Sequence, residues 1–327
     1  MESKTKETED LFDDLKGQLF AKKFLRSILK TNQLSNAYLL SGPEGVGRKL
    51  ATFRFLEGLL NNGQVSKQQR KRLENFNHPD VLWIEPTYQS QGKLIPKSQK
   101  ENLKEKTPPK IRLEQVREVS RFLSRFPLEA KLGIVIMEGV ETMAESAANA
   151  LLKTLEEPGN GLLILITSRP EKLLQTIHSR CQRIPFYPLN KADFETVIAD
   201  IYKDSEYHRD ASNDIGPIEL NILSNGSPGA LIENVNLWDD IPKELWPRLK
   251  KLPKKSIEAL SLAKDITENI NLEQQIWIIN WLQLHLWNKS NNDVAVKRLE
   301  KLRVQLVSFV QPRLSWEIAL LDIKEII

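Results

Sequence analysis

Four short apolar runs constrain this chain more than any other feature. They are "AYLL" (37–40), "DVLWIEP" (80–86), "LGIVIME" (132–138) and "GLLILITS" (161–168). A strand with one wet face alternates apolar and polar residues, whereas a nearly continuous run is covered on both faces. The segments between these runs have helical spacing: Leu19, Phe20, Phe24, Leu25, Ile28 and Leu29 first, then "RKLATFRFLEGLL", "RLEQVREVSRFLSRFP" and "ESAANALLKTLEEP". Strands alternating with helices imply a parallel sheet between two helical layers. After the helix "PEKLLQTIHSR", Pro185 and Pro188 in "CQRIPFYPL" place the end of this domain near residue 188.

Strand signals then fade. "KADFETVIADIYK" and "PIELNILSNGSPGALIENV" read as a small helical module punctuated by Gly226, Pro228 and Gly229. From about residue 240, three amphipathic stripes follow: Trp277/Trp281/Leu284, Leu299/Leu302/Leu306/Phe309 and, after Pro312, Leu314/Ile318/Leu321. Six of the seven tryptophans lie beyond residue 230, at spacing that suits a core or a helix–helix interface. The expected domains are 1–188, 189–240 and 241–327.

Composition narrows the function classes. The 327 residues carry 47 Lys and Arg against 43 Asp and Glu, so any basic surface must be local. Cys181 is the sole cysteine, which rules out an intrachain disulfide and a cysteine zinc site. No apolar run approaches 18 residues and the first residues are charged, so the expectation is a cytoplasmic protein with no membrane partner.

Chemistry is suggested by "SGPEGVGRKL" (41–50), which nearly matches the phosphate-loop pattern G-x-x-x-x-G-K-[ST]. It follows a strand and opens a helix. Gly42 and Gly47 are in place and Gly45 adds flexibility, but Arg48 stands where the Lys belongs and Lys49 where the hydroxyl belongs. Arg is a planar fork rather than a compact ammonium, and a cation cannot ligate Mg²⁺. Sliding the register by one makes Leu50 the metal ligand, which also fails. In "GIVIMEGVETM" an apolar run should end in two acids. Glu138 takes the first position, Gly139 the second, and Glu141 reads as a solvated helix-start residue. Two parts of a hydrolytic apparatus are missing.

"LKGQ" (15–18), "NAYLLSGPEGVG" (36–47), "NHPDVLWIEP" (77–86), "NALLKTLEEP" (149–158) and "TIHSRCQ" (176–182), with a looser "GSPGAL" (226–231), resemble the bacterial clamp-loader subunits of the DNA polymerase III holoenzyme. The resemblance implies an α/β AAA+ P-loop-type parallel-sheet domain, a small helical lid and an all-α C-terminal collar. It implies a five-membered ring that uses ATP to load a sliding clamp onto primed DNA, with gamma/tau-type and delta-type subunits as partners. Motor subunits of that family have an intact phosphate loop, the acidic pair and a lid Arg; here Gly229 lies near the place of that Arg.

Ser179-Arg180-Cys181 matches the family triplet that presents an arginine finger to a neighbour's ATP. The implied role is therefore a non-hydrolysing subunit of the polymerase complex, without ATPase or polymerase activity of its own, acting in trans through Arg180. The implied cofactors are none of its own, with ATP-Mg on the neighbour. A motor subunit with an atypical loop and a nucleic-acid-binding AAA+ loader outside replication are the other readings. Many relatives carry a four-Cys zinc module where this chain has "NNGQVSKQQRKRLENFNHPD", so no zinc is expected. Lys67, Arg70, Lys71 and Arg72 make that stretch basic, either a solvated face or a phosphate contact. His78 is expected to be structural, Cys181 a packing thiol, and the Lys-rich segment 87–110 a mobile surface insertion.

Overall fold

The apolar runs fold as expected into strands of one parallel sheet. The structure, a computed structural model, describes residues 11–90, 92–99, 108–203, 217–308 and 310–326. Helix α1 (Leu19–Thr31) leads into β1 (Ala37–Ser41), α2 (Arg48–Leu60), α3 (Lys67–Glu74) and β2 (Val81–Ile84). After a β3–β4 hairpin (Thr87–Ser90, Lys93–Pro96) come α4 (Leu113–Leu123), β5 (Gly133–Glu138), α5 (Glu145–Glu156), β6 (Gly161–Thr167), α6 (Gln175–His178) and β7 (Gln182–Pro185). The five-stranded sheet has the order β2-β5-β6-β1-β7, with every pair parallel.

The period-2 side-chain alternation of a strand sorts each apolar run between two cores. Tyr38, Leu40, Ile134, Ile136, Ile164 and Ile166 pack with Leu25, Ala51 and Phe55 on one face. Leu39, Val135, Met137, Leu163 and Leu165 pack with Val116, Val119 and Leu151 on the other. Every residue of β1 is buried, which explains the absence of alternation. Each fully buried Leu or Ile is worth roughly 1.5–3 kcal/mol.

Three expectations need correction. β7 is a fifth strand where the sequence showed only a Pro-bounded exit; Gln182 and Arg183 are exposed and only Ile184 is fully buried, so its signal is one residue deep. The segment 87–110 is not structureless at its start, since Thr87–Ser90 pairs antiparallel with Lys93–Pro96 and Thr87 bridges to Lys110. Residues 91 and 100–107 lie outside the described residues. At the start of α1, Leu19 and Phe20 are exposed, and the buried stripe is Ala21, Leu25 and Ile28.

By contact, the chain divides into two compact units: residues 1–206 with 226–228, and 207–225 with 229–327. The first holds the sheet and α7 (Lys191–Lys203). The second is all-helical: α8 (Pro217–Ser224), α9 (Pro228–Asp240), α10 (Trp246–Lys250), α11 (Ser256–Asn269), α12 (Leu272–Ser290), α13 (Asp293–Val307) and α14 (Pro312–Ile326). A capping box starts α12, with Asn271 and Gln274 exchanging hydrogen bonds at 3.0 Å.

Helices α12 and α13 bury Trp277, Trp281, Leu299, Leu302 and Leu306 of their expected stripes, Leu284 is half-buried, and Phe309 is outside the described residues. Helix α14 does the reverse. Leu314 and Ile318 are exposed, and Trp316, Ala319, Leu320 and Ile323 face the core. Trp246, Trp277, Trp281 and Trp316 are buried in this unit's own core, while Trp287 is exposed. Trp281 Nε1 donates to Glu219 (2.7 Å), Trp277 Nε1 to Asn234 (2.8 Å) and Trp316 Nε1 to Gln275 (3.0 Å). Buried indoles need such partners.

Candidate functional site

The Gly-rich loop joins the carboxyl end of β1 to α2. Gly42 N donates to Thr167 O at the end of β6, at 3.2 Å. A Cβ on Gly42 would lie 2.2 Å from the carbonyl oxygen of Phe186, so no other residue fits there. Two side chains fasten the loop by its carbonyls. Gln18 Nε2 donates to Val46 O at 3.2 Å and to Tyr187 O at 2.7 Å, and its Oε1 accepts from Tyr187 N at 3.1 Å. Ser227 Oγ donates to Glu44 O. The "LKGQ" and "GSPGAL" motifs thus converge on the loop, a link that residue spacing does not reveal.

Gly47 caps α2, and the two residues after it take different paths. Arg48 is only 8% exposed, and its Nη1 is enclosed with no hydrogen-bond partner. Burial pulls its pKa down, against the opposing pull of Glu44, Glu141 and Glu138. Lys49 Nζ stands 3.5 Å from Glu138 Oε2, over the rings of Trp83 (5.0 Å to centroid) and Phe76 (5.4 Å). Phe53 stacks on Trp83 and completes that aromatic group.

Glu138 ends β5, as expected of the first acidic position. Gly139 follows with φ 67°, and a Cβ there would meet Pro86 Cγ at 2.8 Å. The backbone then turns through a 3₁₀ helix, Val140–Thr142, closed by Thr142 Oγ1 donating to Gly139 O at 2.7 Å. Glu141 is not the solvated helix-start residue expected. It is half-buried, and its Oε1 accepts from Ser168 N and Ser168 Oγ, while Oε2 is enclosed without a hydrogen-bond partner. Burial alone would raise its pKa; the hydrogen bonds from Ser168, its own N–H and Thr167 outweigh that and hold it below the ordinary carboxylate value. Around this loop, a metal-bound nucleotide would find no hydroxyl after Arg48 and one carboxylate already paired to an ammonium. That donor set does not fit Mg²⁺.

The Ser-Arg-Cys triplet follows α6, whose Ile177 is fully buried and anchors it. His178 Nε2 pairs with Pro170 O at 2.8 Å, and Ser179 Oγ donates to Thr176 O at 3.1 Å. Arg180 Nε donates to Glu156 Oε1 at 3.0 Å and Nη2 bonds the same oxygen; Nη1 donates to Thr176 O at 3.1 Å. Cys181 packs against the α5 side of the sheet core, and burial pushes its thiol up to about 12, as suits a packing residue.

Two of the four cations of the basic stretch, Arg70 and Arg72, are committed to internal pairs. Arg70 Nε donates to Glu57 Oε2 at 2.9 Å, and fully buried Glu57 also accepts from Ser66 N at 2.8 Å. Arg54, buried beside it, bonds Asp14 (2.8 and 2.6 Å) and Glu74 (3.2 Å). Arg72 holds Glu129 through two bonds, at 2.8 and 3.0 Å. Lys67 and Lys71 remain exposed. This charge network fastens α3, and scattered acids at 14, 57 and 74 give no sequence signal for it. His78 is buried, with Nδ1 accepting from Asp80 N at 3.2 Å, and Asp80 in turn accepts the N–H groups of Leu128, Glu129 and Ala130, each at 2.7 Å. "HPD" is a loop clamp. Among the described residues, no group of three His, Cys, Asp or Glu could hold a metal, and no helix is long and apolar enough to cross a membrane.

The family described as "DNA polymerase III, delta subunit" matches residues 17–190, and "Cyanobacterial DNA polymerase III delta prime, C-terminal domain" matches residues 198–323. DNA polymerase III subunit delta' of Bacillus subtilis (strain 168) is 34% identical over 180 residues, covering 53% of this chain and 48% of that one. The Pseudomonas aeruginosa subunit delta' is 34% identical over 159 residues, 46% of this chain and 42% of that one. The chain thus spans about half the length of the relatives it matches. Tau of Bacillus subtilis is 29% identical over 182 residues, 54% of this chain and 29% of that one. The crystal structure of a DNA polymerase III gamma subunit-related protein from Thermotoga maritima superposes with a TM-score of 0.56 at 19% identity, covering 92% of this chain and 98% of that one. The shared fold is a parallel α/β sheet domain with an all-helical C-terminal region.

Proposed function

Because the chain belongs to the DNA polymerase III delta prime-type family of clamp-loader subunits, we propose that it works as a non-hydrolysing member of a clamp-loading ring. In that role it supplies Arg180 as an arginine finger to ATP-Mg held by a neighbouring gamma/tau-type subunit. The partners follow from this reading: gamma/tau- and delta-type subunits directly, the sliding clamp and primed DNA through the assembly. So does the three-part division into sheet domain (1–188), lid (189–240) and collar (241–327).

The observation that carries the reading is the Lys49–Glu138 contact. It puts a fixed ammonium on the acid that would organise a metal, 3.5 Å away. Gly139 supports it, since no side chain there polarises a water. A finger stabilises charge on a transferring phosphoryl group and is worth about 10³–10⁵ in rate.

The test is ATP turnover and clamp loading by the reconstituted assembly with Arg180→Ala. Turnover should fall at least about 10³-fold while the ring still assembles. Unchanged turnover would reduce the Ser-Arg-Cys triplet to a feature of the fold. The alternative of a motor with an atypical loop predicts ATPase activity in the chain by itself, sensitive to Lys49→Ala.

A further inference from the structure

Arg180 does not project freely into solvent. All three of its nitrogens have partners in its own chain. Nε and Nη2 both bond Glu156 Oε1, which therefore takes the side-on edge of the guanidinium. Nη1 donates to Thr176 O at 3.1 Å and, at the longer distance of 3.4 Å, to Ser179 Oγ. The end-on edge pairs one N–H of Nη1, whose bonds go to Thr176 and Ser179, with the second N–H of Nη2, which has no partner among these bonds. That edge is the one that matches two oxygens of a phosphate.

Glu156 is an odd choice for helix stability. It is the last residue of α5, where the helix dipole disfavours an acid and favours a cation. Lys153 already serves that turn. Pro158, two residues on, prevents the helix from continuing, which fixes where the carboxylate sits. The pair is also partly exposed, with side-chain accessibilities of 32% for Arg180 and 52% for Glu156, and such pairs contribute little to folding.

We propose that Glu156 is a positioning residue for Arg180: it grips the side-on edge and orients the end-on N–H pair toward a polyphosphate presented by the adjoining subunit. The inference rests on the reading of Arg180 as a finger in trans. Glu156 touches no substrate. It removes the rotamer search of a long side chain, so an incoming phosphoryl group meets an arginine already aligned. The geometry also joins "LEEP" to "SRC", two motifs 24 residues apart, into one device.

The test uses the reconstituted assembly with primed DNA and clamp, comparing wild type, Glu156→Ala, Glu156→Gln, Arg180→Ala and the Glu156→Ala/Arg180→Ala double variant. Assembly of each is checked by gel filtration. Glu156→Ala should lower kcat roughly 10-fold and leave KM for ATP unchanged, because the neighbour holds the nucleotide. Glu156→Gln keeps an acceptor oxygen in place and should recover most of the rate. The double variant should be no slower than Arg180→Ala alone. If Arg180→Ala is slow and Glu156→Ala is not, the positioning role is wrong and the finger stands. A Glu156→Ala loss that adds in full to that of Arg180→Ala places Glu156 in some other role and also overturns the proposal. Should Arg180→Ala itself turn over normally, the finger reading fails and takes this inference with it.

Discussion

Lys49 Nζ lies 3.5 Å from Glu138 Oε2, so the ammonium that stands where a phosphate loop would carry a hydroxyl pairs with the carboxylate at the end of β5. Restoring the hydroxyl alone should therefore not restore chemistry. Lys49→Thr frees Glu138, but Gly139 still offers nothing to orient water. ATP hydrolysis by the isolated variant is expected to stay at background in a phosphate-release assay. Turnover clearly above background would show that Lys49 alone silences the loop.

Gly139 is closed to an acid by geometry as well as by sequence. Its φ of 67° is costly for an L side chain, and a Cβ would press on Pro86 at 2.8 Å. Gly139→Asp should destabilise the chain by roughly 1–3 kcal/mol, read as a lower urea midpoint with an unchanged slope. A midpoint equal to wild type would mean that the turn relaxes freely, and the acidic pair could then be rebuilt.

Asp80 makes stability depend on pH. Burial would raise its pKa, but the backbone N–H groups of Leu128, Ala130 and Glu129 overcome that and depress it. A depressed carboxylate contributes stability that is fully present above its unfolded value of about 3.9 and is lost as pH falls through the folded value. The stability gap between wild type and Asp80→Asn should be constant from pH 7 to about 5 and shrink below about 4. Urea unfolding at pH 7 and pH 3 measures it. A gap that widens on acidification would refute the assignment.

Much of the fold was legible because strand burial writes itself into consecutive residues. "GIVIME" and "LLILI" can only be strands covered on both faces, and they became β5 and β6. β7 escaped because a four-residue edge strand with one fully buried side chain has no periodicity to read. The stripe on α14 was misread for a related reason: Leu314, Ile318 and Leu321 have helical spacing, but so do Trp316, Ala319, Leu320 and Ile323, and only packing against α11 and α13 selects between the two faces. Glu141 has the sequence neighbourhood of a solvated helix start, and only the fold brings Ser168 against it.

By itself, the sequence determined which residue types stand at the phosphate loop, at the end of β5 and after α6. Local chemistry settles those points: a Lys cannot ligate a metal, a Gly carries no acid, an Arg keeps its charge. Only the tertiary structure decided what these residues do to one another. Lys49 reaches Glu138 because β1 and β5 end on the same side of a parallel sheet; Gln18 and Ser227 reach the loop from opposite ends of the first unit; Glu156 reaches Arg180 across two elements. These contacts span 24 to 183 residues. Pairings of that range come from chain crossovers and packing, which leave no periodic trace along the sequence.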